Sequence, residues 1–224
     1  MYGLVFCKNF QHLAMRTFLK NKLENFIFKC IDKSKSRKVS SGYNPFDIII
    51  GQNSSIVDPL KIDGARNIEI GSNTHINRNA WISAFDSYGS QKFSPKIKIG
   101  NNVVIGNYAC ITAINAIKIG DNCLFSEYVY ISDHSHGFEP TKDLSPALQD
   151  LNSKGPVEIG ENTFLGFRVC ILPGVKLGKN CVVGSNSVVT KSFPDFSMVG
   201  GIPARLLKVF SFEKNEWEPV TEKE

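Results

Sequence analysis

The chain has 224 residues, 42% of them hydrophobic, and a formal net charge of +5. That length permits one domain with a sizeable core, and the lack of any run of about 18 apolar residues excludes a membrane-spanning helix. Residues 1–40 hold nine Lys or Arg against two Asp or Glu, which leaves the remainder at −2, without the basic stripe that nucleic-acid binding needs.

Residues 9–33 carry a helical pattern. Phe10, Leu13, Phe18, Leu19, Leu23, Phe26, Ile27, Cys30 and Ile31 recur largely at steps of three and four, with Lys20, Lys22, Lys29 and Lys33 among them. A basic run at 33–38 follows, and Gly42, Asn44 and Pro45 end the pattern. Residues 1–45 are therefore expected to form an amphipathic helical cap or arm. It either covers the open end of the next domain or lies on an anionic membrane through residues 1–38. No secretory signal is expected at this end. Cys7, Cys30, Cys110, Cys123, Cys170 and Cys181 are scattered without a C-x-x-C, which fits free thiols in a reducing cytoplasm. The expected location is cytoplasmic, with the arm touching the inner face of the membrane.

From Ile50 the period is six. Ile50, Ile56 and Ile62 are followed by Ile70, Ile76 and Ile82, by Ile99, Ile105 and Ile111, and by Ile119, Phe125 and Ile131. Ile159, Leu165, Ile171, Leu177, Val183 and Val189 then run without a break. Neither a 3.6-residue nor a two-residue period accounts for aliphatics six apart. Such self-similarity marks a parallel β-helix of hexapeptides. Three short strands close one triangular coil, and each aliphatic stacks on its counterpart a coil below. Strings such as Gly71-Ser72-Asn73, Gly100-Asn101-Asn102 and Gly160-Glu161-Asn162 suit the corners, because Gly and Asn tolerate φ > 0.

Breaks fall after Ile62, Ile82, Ile111 and Ile131, each at the end of a set of three, so every insertion should leave from one corner. Two insertions are short. The others span about 84–96 and 137–156. Loops stacked along one edge make a wall where binding residues concentrate. Trp81, Phe85, Tyr88 and Phe93 lie in or near the shorter of these two, and suit a sugar face, loop anchoring or a subunit interface equally. The longest follows His136, the sixth residue of its coil's third hexad. After Val189 the repeat stops. Residues 191–196 and 200–205 read as turns, 206–212 as a closing strand or short helix, and 211–224 as a charged, loosely ordered tail.

The hexad array, DHSHG at 133–137 and VVTKSFPDFSMVGGIPARLLK at 188–208 resemble the hexapeptide-repeat acyltransferases. Within them the chain is most similar to the maltose/galactoside O-acetyltransferase-like branch, which includes saccharide O-acetyltransferases of polysaccharide and lipopolysaccharide assembly. The resemblance covers residues 46–210. It implies an all-β solenoid, a left-handed parallel β-helix with a short N-terminal helical segment and a C-terminal closing segment. It also implies acetyl-CoA as co-substrate with no metal required, a saccharide hydroxyl as acceptor, and a homotrimer with active sites between subunits.

By this resemblance His136 is the general base, because the family's base ends the third hexad of its coil. Neutral imidazole suits that task near neutral pH. Asp133 and His134 would line the acceptor pocket, with Asp133 also able to orient a His or make a turn. Ser185, Thr190, Lys191, Arg205 and Lys208 match positions that contact coenzyme A, the last two as phosphate partners. An acceptor-supporting Asn of the family falls near 106–108, where Asn107 stands.

Three other readings compete. N-acetylation of a nucleotide-linked amino sugar often goes with an added nucleotide domain, for which residues 1–45 are short and helical. A zinc enzyme of the carbonic-anhydrase type needs three His ligands from His12, His75, His134 and His136, and His75 and His136 end different hexads. A non-catalytic scaffold would use the repeats for assembly alone.

Overall fold

The computed structural model describes residues 38–40 and 47–220; the expected helix at 9–33 lies outside the described residues. Within them the six-residue period becomes three parallel sheets, one per hexad of the coil. The first face stacks Ile49–Ile50, Ile68–Ile70, Lys96–Ile99, Ala116–Ile119, Val157–Ile159 and Lys176–Leu177. Its register sets Ile50, Ile70, Ile99, Ile119, Ile159 and Leu177 in one column. The second face aligns Ile56, Ile76, Ile105, Phe125, Leu165, Val183 and Val199. The third aligns Ile62, Ile82, Ile111, Ile131, Ile171 and Val189.

From the second coil upward every member of these columns is buried. Each such side chain is worth about 1.5–3 kcal/mol of transfer free energy, so the stack needs no further hydrophobic layer. The corners divide the work of Gly and Asn in a way the sequence pattern does not separate. Between the first and second faces, Asn53, Asn73, Asn102, Asn122, Asn162 and Asn180 take the left-handed turn, with φ between 54° and 58°. The glycines two positions earlier are needed because successive coils touch there. A Cβ on Gly160 would lie 2.5 Å from the carbonyl carbon of Gly178, and one on Gly100 would lie 2.3 Å from Asp121 Oδ1.

All four breaks leave where the third face turns into the first. The first is the 3-10 turn Ala65–Asn67, entered through Gly64. The second is an antiparallel hairpin, Ser87–Tyr88 with Gln91–Lys92. The third passes through Ile114 and Asn115, between Cys110–Ala113 and Ala116–Ile119. The fourth pairs Ser135–His136 antiparallel with Leu151–Asn152 and carries two 3-10 turns, Pro140–Lys142 and Pro146–Leu148.

The ends depart from expectation. Lys38–Ser40, inside the stretch read as a helical arm, is a strand antiparallel to Ser55–Val57. At the other end Ser197–Gly201 continues the second face in parallel, and Ala204–Ser211 and Glu216–Pro219 follow antiparallel. The segment read as a loose tail is thus ordered through Pro219. Phe210 packs against Phe212 and Trp217, with ring centroids at 5.2 and 5.5 Å, and Phe196 packs on Phe212 at 4.8 Å. That aromatic cluster outweighs the local charge.

The outward side chains differ by face. The first face presents Glu69, Lys98, Lys118, Glu158 and Lys176 above Ile49. The second presents His75, Val104, Leu124, Phe164, Val182 and Met198 above Ser55, and the third Lys61, Trp81, Cys110, Tyr130, Cys170 and Val188.

Candidate active site

The fourth coil leaves the third face at Tyr130–Ser132, and Asp133 takes the corner. Its side chain is fully buried. Oδ1 accepts the Ile114 N–H at 2.9 Å and Oδ2 the Asn115 N–H at 2.8 Å, so the carboxylate closes the short turn of the coil below. Oδ1 also lies 3.0 Å from His134 Nδ1. A carboxylate only accepts, so this contact holds the proton on Nδ1 and leaves Nε2 bare. The buried Ser132 donates to the His134 carbonyl at 2.9 Å, and Ser153 donates to the Asp133 carbonyl at 2.6 Å, which ties the exit and the return of the loop together. Phe85, from the hairpin two coils below, stands edge-on to His134 with centroids 6.0 Å apart.

His136 lies elsewhere than the hexad count predicts. The count keeps the third hexad on its coil through the sixth residue. The chain instead leaves at the third, and His136 sits exposed on the loop's own ladder, opposite Leu151. Its Nδ1 is 3.3 Å from the Tyr88 hydroxyl, and the two rings meet edge-on at 5.3 Å. Tyr88 donates its proton to the Ala147 carbonyl at 2.5 Å, so its oxygen is left to accept from Nδ1. Asp133, expected against the acceptor, has no exposed surface to offer it; its place is beneath His134.

The residues expected to bind coenzyme A fall in three places. Thr190 and Lys191 are exposed just after Val189, at the same edge as Asp133 and two coils above it. Two inter-strand steps put them about 10 Å further along the axis. Ser185 is exposed at a different corner, between the second and third faces, where its hydroxyl accepts the Phe167 N–H at 3.2 Å. Arg205 and Lys208 share the strand Ala204–Ser211; a bulge between them sets Arg205 opposite Gly200 and Lys208 opposite Met198, so both stand on the same face, Arg205 exposed and Lys208 half-buried. Asn107 is also at the second-to-third corner, where it donates to Glu127 Oε1 at 2.7 Å. Within one chain it is not brought to His134.

Other chemistry is sparse. Among the described residues no group of three or more His, Cys, Asp or Glu is placed to hold a metal ion, and no helix is long and apolar enough to cross a membrane. Cys110, Cys123, Cys170 and Cys181 are free thiols. Burial pushes Cys110 and Cys123 up to about 11, so neither is a nucleophile at neutral pH. A groove of about 510 Å³ crosses the charged first face along Lys118, Glu158 and Lys176, and holds none of the expected site residues. Sequence reasoning left the roles of Phe85 and Tyr88 open and missed Gln91, which joins the two long loops. The density of aromatics in 81–93 was a signal for the first two; a single Gln gives none.

Comparison with known proteins agrees with this architecture. Residues 156–191 match the family described as the hexapeptide repeat of succinyl-transferase. The chain is 36% identical over 128 residues to WbbJ of Escherichia coli K12, a protein named as a lipopolysaccharide biosynthesis O-acetyl transferase, covering 54% of this chain and 65% of that one. It is 32% identical over 140 residues to the galactoside O-acetyltransferase of the same organism, covering 59% and 62%. The chain thus spans less than two thirds of either relative. A solved structure of AntD, an N-acyltransferase from Bacillus cereus, superposes with a TM-score of 0.62 at 22% identity over 71% of this chain and 83% of that one, a likeness of fold. By its repeat, its stacked register and these matches, the chain carries a left-handed parallel β-helix of hexapeptide repeats similar to those of the acyltransferases named above.

Proposed function

We propose that the protein transfers the acetyl group of acetyl-CoA to a hydroxyl of a saccharide in the assembly of a surface polysaccharide or lipopolysaccharide. The observation that carries this reading is the Asp133–His134 pair at the edge from which the long loops leave. His134 Nε2 takes the proton of the acceptor hydroxyl as its oxygen attacks the thioester carbonyl. The tetrahedral intermediate then collapses, the C–S bond breaks, and the thiolate leaves with that proton as free coenzyme A. This assigns the base to His134, oriented by a buried carboxylate, in place of His136, which lines the site from the loop ladder. A base so placed contributes about 10²–10⁴-fold. Names of relatives in lipopolysaccharide and galactoside acetylation support the acceptor class.

Coenzyme A would run along the same edge past Thr190 and Lys191, with Arg205, Lys208 and Ser185 reached from it or supplied by a neighbouring copy. A homotrimer fits the outward side chains: the charged first face and the largely apolar second and third faces give unlike patches, and a closed ring uses two unlike patches per chain. The cytoplasmic location, and contact of residues 1–38 with anionic membrane, belong to the same proposal; their basic, amphipathic pattern supports it.

The test is thiol release from acetyl-CoA against a panel of free, nucleotide-linked and lipid-linked sugars, with amino sugars included. O-acetyl ester as product is expected. His134→Ala should lose at least 10²-fold in kcat and His136→Ala much less. The reverse order would return the base to His136, and no turnover with any acceptor would reject the activity.

A further inference from the structure

The hairpin carrying Gln91 and the loop carrying the two histidines leave coils that are not neighbours. The coil between them turns its corner with Ile114 and Asn115 alone. Among the described residues, the hydrogen bonds from loop to loop are those of Gln91 and Tyr88. Gln91 Oε1 accepts the Leu151 N–H at 2.7 Å, and Gln91 Nε2 donates to the Leu151 carbonyl at 3.1 Å. A carboxamide has the donor and acceptor of a peptide group. Gln91 therefore acts as a one-residue strand, added to the open side of the ladder formed by Ser135–His136 and Leu151–Asn152.

The register makes this contact consequential. Leu151 is the residue opposite His136 and is buried. Both its backbone groups turn to Gln91, so the His136–Leu151 pair is the closer, non-hydrogen-bonded kind, and the ladder bond on this side is Gly137 N–H to the Asp150 carbonyl at 3.0 Å. A two-stranded ladder of two residues per strand has little stability of its own. Three residues before Gln91, the Tyr88 hydroxyl fixes the far part of the same loop at Ala147. The short hairpin thus clasps the long loop at two points, one directly behind the segment that presents both imidazoles.

We propose that Gln91 is a positioning residue for the transfer reaction: by standing in as a strand between the two loops, it sets the backbone from which His134 and His136 are presented. The inference rests on the acetyl transfer proposed above. Misplacing a catalytic group by about 1 Å can cost on the order of 10²-fold, with little change in substrate affinity.

Gln91→Leu keeps the side chain's bulk and removes both bonds; Gln91→Glu keeps the acceptor for the Leu151 N–H. For each, kcat, the KM for acetyl-CoA, the thermal midpoint and amide exchange over residues 135–137 and 147–152 are measured on the full chain. In Gln91→Leu, kcat should fall about 10-fold or more, with KM and the midpoint nearly unchanged and faster exchange confined to those segments. Gln91→Glu should recover part of the rate and part of the protection. An unchanged kcat, or slowed turnover with exchange raised across all coils, would overturn the assignment. If the wild-type chain transfers no acetyl group, the proposed activity fails by itself. Exchange then reads the clasp alone, and protection unaltered in Gln91→Leu overturns it.

Discussion

Two edges of this triangular stack are built on opposite plans. Where the first face turns into the second, one turn is used six times, with Gly for close approach and Asn for the left-handed residue. Where the third turns into the first, the four successive exits are of three different lengths, two short and equal and two long. The repeating edge serves the stack. The irregular edge carries Asp133, His134, His136, Gln91, Thr190 and Lys191. Because the coils are already closed by the other two corners, material can be added at the third without disturbing a single register pair. The regular half of the molecule is what allows the other half to vary.

That contrast can be broken from either side. Asp133→Ala strikes the irregular edge. It removes the acceptor that holds the His134 proton on Nδ1, so kcat should fall by roughly 10²-fold; because two backbone N–H groups also lose a charged partner, stability should drop by about 1.5–3 kcal/mol per lost bond in a denaturant titration. Gly160→Ala strikes the regular edge, where a Cβ meets the Gly178 backbone. It should cost about 1–3 kcal/mol while the folded fraction keeps its kcat. Asn122→Ala forces an alanine to φ 58° and should cost about 1–2 kcal/mol, with Asn122→Gly close to the wild type.

The smallest effect is that of the thiols. Cys110 and Cys123 titrate near 9.0 when unfolded and about 11 when buried. Their contribution is complete below pH 9 and is lost as pH rises from about 9 to about 11. Native alkylation at pH 8 should accordingly be far slower than in denaturant.

Most of the stack was legible because burial selects side-chain type. Counting in sixes from Ile50 gives the column partner of each inward aliphatic through Val189, and the breaks after Ile62, Ile82, Ile111 and Ile131 do share one edge. What stayed hidden lacks a period. The exit of the chain at Asp133, which moves His136 off its coil, is decided by a carboxylate capping the turn below, a contact between residues 18 and 19 apart in sequence. The Gln91–Leu151 clasp joins residues 60 apart on two irregular loops. Glu216–Pro219 was masked by its charged neighbours, although Trp217 marks it as a packed strand.

The antiparallel strands that flank the second face, Lys38–Ser40 below and Ala204–Ser211 with Glu216–Pro219 above, have a consequence for how such a protein changes size. A parallel strand does not continue the ladder beyond a strand that runs the other way, so a further regular coil cannot be appended at either tip of the second face in the described stack. A longer version would have to arise inside, by duplicating a whole eighteen-residue turn such as the one from Ile159 to the residue before Leu177. Such an insertion would slide the Thr190–Lys191 shelf about 5 Å away from His134, one strand spacing at a time. The number of turns between the imidazole and that shelf is then a ruler, and it offers a discrete way to match the length of whatever thioester carrier the cleft receives.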